Sequence, residues 1–248
     1  MIKLVDVHKR FGDLVVFDGL HLDIPTGKIT SVLGRSGGGK SVLLKHIIGL
    51  LKPDQGQVLV DGRDIVVMSE RELNEVRRRF GMLFQEAALF DSMTVGENVA
   101  FPLREHTDMS EEEIRARVRQ KLADVGLAGI EEKMPSELSG GMKKRVGLAR
   151  AIALDPEIIL FDEPTTGLDP ITSSVINHLI ADTQKRLGAT CVIISHDIET
   201  VFSISDKVAM LYEGRVEAEG SPEEMRQSDN PVVRQFISGS FEGPITPA

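Results

Sequence analysis

Two apolar periods alternate along the chain. Ile29 to Leu33 reads as a strand, and Ile158 to Phe161 and Cys191 to Ile194 are short apolar runs, the pattern of strands covered on both faces in a parallel sheet. Each gives way to polar residues, as strands do when a site lies at their C-terminal ends. Lys40 to Ile48 reads as a helix after a glycine-rich turn. Ile114, Val118, Leu122 and Val125 recur at spacings of four, four and three among charged neighbours, which marks one apolar stripe of a second helix. With a further helix expected after Gly140, the stretch from about Glu86 to Arg150 reads as a helical insert. Strands followed by helices predict an α/β architecture around a largely parallel sheet. The segment from Ser221 carries Pro222, Pro231, Pro244 and Pro247, and only Val232 to Ile237 in it reads as a short helix. No internal repeat or low-complexity tract stands out.

Composition narrows the functional classes. With 248 residues, 41% of them hydrophobic, the chain can bury a full core, and its length permits one large domain or two small ones. The formal net charge of -9 argues against a broad electrostatic footprint for nucleic acid or anionic headgroups. Two local basic clusters, Arg77-Arg78-Arg79 and Lys143-Lys144-Arg145, read as solvated helix faces. The start, Met1-Ile2-Lys3-Leu4-Val5-Asp6, lacks the apolar core of a signal peptide, and no apolar run approaches the ~18 residues that span a bilayer. Any membrane role is therefore expected to go through a partner. The single cysteine, Cys191, falls in an apolar stretch and reads as a small core residue, which suits a reducing cytoplasm.

The chemistry begins at Gly34-Arg35-Ser36-Gly37-Gly38-Gly39-Lys40-Ser41, which fits G-x-x-x-x-G-K-[ST] and stands between an expected strand and an expected helix. Glycines let backbone N–H groups curl around phosphate oxygens, and the helix N-terminus adds the positive end of its dipole. Lys40 can reach the β- and γ-phosphates of a nucleotide, and the Ser41 hydroxyl can bind Mg²⁺. The complementary half of such a site is an apolar strand ending in carboxylates, here Ile158 to Phe161 followed by Asp162 and Glu163. Asp162 is expected to hold Mg²⁺, usually through water, and Glu163 to orient and deprotonate the attacking water as a general base.

Leu138-Ser139-Gly140-Gly141-Met142 resembles the LSGGQ signature of ATP-binding cassette proteins, with methionine in the last place. Ser139 can cap the following helix, and the two glycines allow close backbone approach. Other motifs of that family stand in order from Leu4 to about Gly220. By this resemblance Phe11 stacks on adenine, where tyrosine is usual. Gln85 contacts Mg²⁺ and the attacking water, His196 hydrogen-bonds the γ-phosphate, and Asp169 couples facing sites. The resemblance implies a phosphate-loop NTPase core with a mixed, largely parallel sheet, an inserted helical subdomain and an N-terminal antiparallel β region. It sets an ATPase domain at 1–220, with 1–85 and 151–220 as nucleotide-binding core and 86–150 as the helical signature subdomain, before a short tail at 221–248. In the family each ATP is clamped between the phosphate loop of one subunit and the signature of another. The expected unit is a dimer with ATP and Mg²⁺ as ligands, in which Ser139, Gly140, Gly141, Met142 and Asp169 act in trans.

A finer resemblance points to the transport task. Leu83-Phe84-Gln85 with Ala88-Leu89-Phe90, Asn98-Val99-Ala100, Pro102 to Thr107, Met134 to Met142, Asp169-Pro170-Ile171-Thr172 and Val233-Arg234-Gln235-Phe236 are similar to the ATPase subunit of the Mla phospholipid transport system. This implies a peripheral subunit on the cytoplasmic face of the inner membrane. Its partners would be a second copy of the chain, an integral membrane permease of the MlaE type, an MCE-domain protein and often a STAS-domain regulatory subunit, with no direct contact to nucleic acid. Phe84, Leu89 and Phe90 would help form the cleft that receives a permease helix. The other readings are an ABC ATPase for another cargo, such as polar amino acids, and a soluble ABC ATPase acting on DNA or the ribosome. Members of the last class commonly carry two cassettes or a long coiled-coil insert, and this chain has neither.

Overall fold

The computed structural model describes residues 1–246. The chain runs β1 (Ile2–Phe11), β2 (Leu14–Ile24), β3 (Ile29–Leu33), α1 (Lys40–Ile47), β4 (Gln55–Val60), β5 (Arg63–Asp64) and α2 (Glu70–Arg77). It continues through β6 (Phe80–Leu83), α3 (Val95–His106), α4 (Glu111–Asp124), α5 (Gly140–Ala151), β7 (Ile158–Asp162) and α6 (Pro170–Leu187). It ends with β8 (Thr190–Ser195), α7 (Ile198–Ile204), β9 (Lys207–Tyr212), β10 (Arg215–Gly220), α8 (Pro222–Arg226) and α9 (Pro231–Ser238). Two compact units result, one formed by 1–77 with 190–246 and the other by 78–189.

The first unit holds both kinds of pairing. β1 lies between β2 and β4, antiparallel to each, and β5 pairs antiparallel with β4. β3 is flanked by β8 and β9, parallel to both, and β10 returns antiparallel along β9. All residues of β3 and β8 are buried, which is why both lack a polar alternation. Cys191 lies on β8 with no exposure, and burial pushes its thiol up to about 12. Below β3 and β9 a cluster joins Leu33, Val208 and Met210 to Val201 and Phe202 of α7, Met225 of α8, and Val232 and Val233 of α9. The C-terminal region thus contains two helices rather than the one expected. Periodicity cannot reveal a helix as short as α8, but its capping box can: Ser221 Oγ accepts from Glu224 N at 3.2 Å, Ser221 N donates to Glu224 Oε2 at 2.7 Å, and Pro222 occupies the first turn.

The second unit pairs β6 and β7 in parallel and carries α3 to α6. The predicted stripe, Ile114, Val118 and Leu122 of α4 with Val125 just past its end, is buried throughout. The start of α4 at Ser110 is a capping box with Glu113. α3 begins in the same way at Thr94 and Glu97 and tolerates Pro102 in its interior. Among the described residues no helix is long and apolar enough to cross a membrane.

Candidate active site

The phosphate loop leaves the C-terminal end of β3. In parallel register Leu33 stands beside Ser195 of β8, so Gly34 and His196 emerge from adjacent strands at the same edge, where site residues of an α/β sheet gather. Gly34 lies so close to β9 that a Cβ there would stand 2.7 Å from the Leu211 carbonyl oxygen. Gly39 has φ +91, and a Cβ would meet Val16 Cγ1 at 2.8 Å, so no other residue fits either position. The loop closes through Gly38 N–H donating to Arg35 O at 3.1 Å. The Lys40 ammonium donates to Gly34 O and Arg35 O at 2.8 and 2.9 Å, which holds a buried cation inside the loop. Gly37 and Ser36 are exposed, as is Ser41 at the start of α1. The Arg35 guanidinium donates to Thr246 O at 2.6 Å and so ties the C-terminal segment to the loop. Phe11, at the end of β1, is 47% exposed with the Lys9 ammonium 5.4 Å from its ring centroid. It is a surface aromatic rather than a core residue. His196 is exposed and precedes Asp197, which caps α7 by accepting from Thr200 N at 3.3 Å.

The second unit repeats this logic. Leu83 of β6 stands beside Phe161 of β7, so the chain carrying Gln85 and the chain carrying Asp162 and Glu163 leave adjacent strands at one edge. Gln85 is exposed, Asp162 half-buried and Glu163 only 8% exposed. Glu163 has a left-handed backbone, φ +48, a conformation that costs roughly 1–3 kcal/mol and persists only where the surroundings enforce it. Its Oε2 accepts from Thr166 Oγ1 at 3.1 Å, and its carbonyl accepts from Thr166 N at 3.3 Å.

Ser139 caps α5 as expected, accepting from Met142 N at 3.3 Å. A Cβ on Gly141 would lie 2.6 Å from Thr172 Cγ2, and one on Gly147 would lie 2.8 Å from Leu83 Cδ1. Glycine at these places lets α5 approach α6 and β6. Asp169 caps α6, its Oδ1 accepting from Ile171 N and Thr172 N at 3.0 Å each. The Thr172 hydroxyl, also bonded to Asp169, and these N–H groups hold its carboxyl below the usual range.

Two residues of α5 escaped the sequence reading. Lys144, expected on a solvated face, is buried and donates to the carbonyls of Gln85 and Glu163. Arg150 donates to Ala87 O and Ala88 O at 2.6 and 2.7 Å. The missed signal is helical phase, since Lys144 is three residues after Gly141 and four before Leu148, both buried. Arg79, in the other basic cluster, pairs with Glu157 at 2.7 Å. Phe84 and Phe90 are exposed, and Phe90 packs on Phe101 with ring centroids 5.1 Å apart.

The chain is similar to known proteins in both sequence and fold. The family profile described as ABC transporter matches residues 17–166, more than half of the chain. The intermembrane phospholipid transport system ATP-binding protein MlaF of Haemophilus influenzae is 49% identical over 245 residues, which cover 99% of this chain and 93% of that protein. The probable ribonucleotide transport ATP-binding protein mkl of Mycobacterium leprae is 48% identical over 98% of this chain and 70% of its own length. A solved dimeric ATP-binding cassette in a post-hydrolysis state, bound to ADP and Pi, superposes with a TM-score of 0.82 at 35% identity, over 90% of this chain and 99% of that one. By sequence and by fold, therefore, the chain belongs to the ABC transporter family, as an ATP-hydrolysing subunit.

Proposed function

We propose that this ATPase drives phospholipid transport between inner and outer membranes, as the peripheral subunit of an Mla-type complex. The observation that carries this reading is the reach of the likeness to MlaF, 49% identity over nearly the whole of both chains. The likeness to mkl is equal in degree and favours a second reading, a different cargo, but it spans a smaller share of that relative, 70%. The absence of any helix able to cross a membrane among the described residues fits a subunit that meets the bilayer through a permease. The partners proposed are a second copy, an MlaE-type permease, an MCE-domain protein and a STAS-domain subunit, with the ATPase on the cytoplasmic face.

At the site, Gly34 to Ser41 cradle the phosphates and Phe11 offers its open ring to adenine. Lys40 neutralises the β- and γ-phosphate charge, Gln85 and Glu163 orient the attacking water, Glu163 takes its proton, and His196 holds the γ-phosphate. Ser139 to Met142 and Asp169 complete the site of a second copy. The oxygen donors Ser41, Gln85 and Asp162 are of the hard type that Mg²⁺ takes, with few protein ligands and the rest from phosphate and water. Bound there, Mg²⁺ would offset charge developing on the phosphate oxygens. On this reading 1–220 is the ATPase domain, with 86–150 as its helical signature part and 221–248 as a tail.

Purification of the complex from solubilised inner membrane tests both levels on one sample. An MCE-type protein and phospholipid should copurify with the chain, and Glu163→Gln should retain ATP binding while hydrolysis slows by about two to four orders of magnitude. Absence of both partner and lipid would sink the phospholipid assignment. Undiminished turnover in the variant would remove Glu163 as the base.

A further inference from the structure

Lys144 lies in the second turn of α5, and its side chain is unusual for a lysine in being 5% exposed, since lysines are rarely buried without a partner. Its ammonium is held by two main-chain oxygens: it donates to Gln85 O and, at 3.1 Å, to Glu163 O. Those carbonyls belong to the residues whose side chains flank the attacking water in the proposed site. Burial lowers the lysine's pKa, an effect opposed by the nearby Glu86, Asp162 and Glu163 carboxylates. Six residues further along the same helix, Arg150 grips the next part of the loop at Ala87 O and Ala88 O, whose residues have φ +59 and +46. The left-handed segments at 87–88 and at Glu163 are thus both tied to α5, the helix that Ser139 caps. Unfavourable backbone of this kind needs such ties to persist, and a main-chain tie fixes where a side chain starts from.

We propose that Lys144 is a positioning residue for hydrolysis: by binding the main chain at Gln85 and Glu163 to the signature helix, it sets the placement of both side chains and makes that placement follow the state of the signature. The inference rests on the reading of Glu163 as base. It concerns no atom of the nucleotide, so the loss of Lys144 should be felt in turnover and not in affinity. A small displacement is sufficient, because misplacing reacting groups by about 1 Å can cost up to roughly a hundredfold.

The test compares Lys144→Met, which keeps a stem without donors, with Lys144→Arg, which restores them, in the full chain assembled with its membrane partners. Lys144→Met should lower kcat by roughly 10- to 100-fold while KM and equilibrium binding of a fluorescent ATP analogue stay within about twofold. Lys144→Arg should recover most of the turnover. Wild-type kcat in Lys144→Met overturns the proposal, as do equal losses in Met and Arg variants accompanied by a fall in Tm, the mark of a packing role alone. Should the methionine variant not fold, Lys144→Gln, too short to serve both carbonyls, must show the same separation of kcat from binding or the proposal fails. Adding Lys144→Met to Glu163→Gln should produce no further loss if the lysine acts through the base. Full turnover in Glu163→Gln would defeat the base reading itself, whereas a slow Glu163→Gln beside an unimpaired Lys144→Met would defeat only the positioning role.

Discussion

His46 shows how a single residue behind the phosphate loop links stability to pH. Its Nδ1 bonds to Val42 O at 2.7 Å, its Nε2 is buried with no hydrogen-bond partner, and its ring meets Phe17 edge-on at 5.5 Å. Burial therefore favours the neutral ring and lowers its pKa from the usual 6.5, with Lys9 adding to the fall and the Val42 carbonyl and Asp54 opposing it. In the window below 6.5 the unfolded chain binds the proton that the folded chain refuses, so stability falls as pH falls through that window. Urea unfolding at pH 7.5, 6.5 and 5.5 should show this decline, and His46→Leu should flatten it. An unchanged slope in the variant would assign the decline elsewhere. The carboxylates held low by partners, such as Asp54 beside Lys9 and Asp18 beside Arg215, lose their contributions only in stronger acid, as pH falls below their ordinary value of 3.8. His46 had no signal in the sequence, because a histidine inside a helix looks alike whether buried or exposed. Lys144 did have one, in its phase with Gly141 and Leu148, which its charged neighbours obscured.

At the scale of elements, α4 was legible and its anchoring was not. Four apolar residues at helical spacing sufficed to predict α4 and its buried face, whereas the charged residues that also anchor it gave no such signal. Lys121, 1% exposed, donates to Asp155, and Arg117 donates to the same carboxylate. Arg145 of α5 donates to Gly126 O, just beyond the end of α4, at 3.2 Å. Removing one partner of a buried pair costs about 3–5 kcal/mol, and since Asp155 is 38% exposed, Asp155→Asn is expected at roughly 2 kcal/mol. Asparagine is chosen because Asp155 has φ +49, which asparagine tolerates. Adding Lys121→Met should recover most of the loss in thermal unfolding, since the stranded charge is then gone. Failure to recover would place the cost in the backbone instead. The strands were legible for a complementary reason. Buried on both faces, β7 and β8 carry continuous apolar runs, whereas β3 buries Thr30 and Ser31 among its apolar residues, and the bulged, half-exposed β1 and β2 followed only from family resemblance. α8 was missed because five residues hold too little periodicity.

For the whole molecule, the motifs could be proposed from sequence because phosphate chemistry restricts which residues can serve. Their placement at strand ends was readable too, because parallel strands deliver loops to one edge. The ties between motifs were not readable, since Lys144 reaches main-chain oxygens and any residue offers those. Assembly extends the question beyond one chain, and the proposed dimer shares each nucleotide between two copies. One feature of β8 makes that assembly observable. With its thiol at about 12 and wholly enclosed, Cys191 stays protonated at neutral pH and out of reach of maleimide or methanethiosulfonate reagents. A cysteine placed at exposed Ser136, three residues before the signature serine, would then be the only reactive thiol. Spin-labelled Ser136→Cys in a Glu163→Gln background should give a defined dipolar distance between copies with ATP and none without it. No coupling with ATP would count against the shared site. The natural chain thus comes already silenced for site-directed labelling, and no native cysteine needs to be removed before its motions are measured.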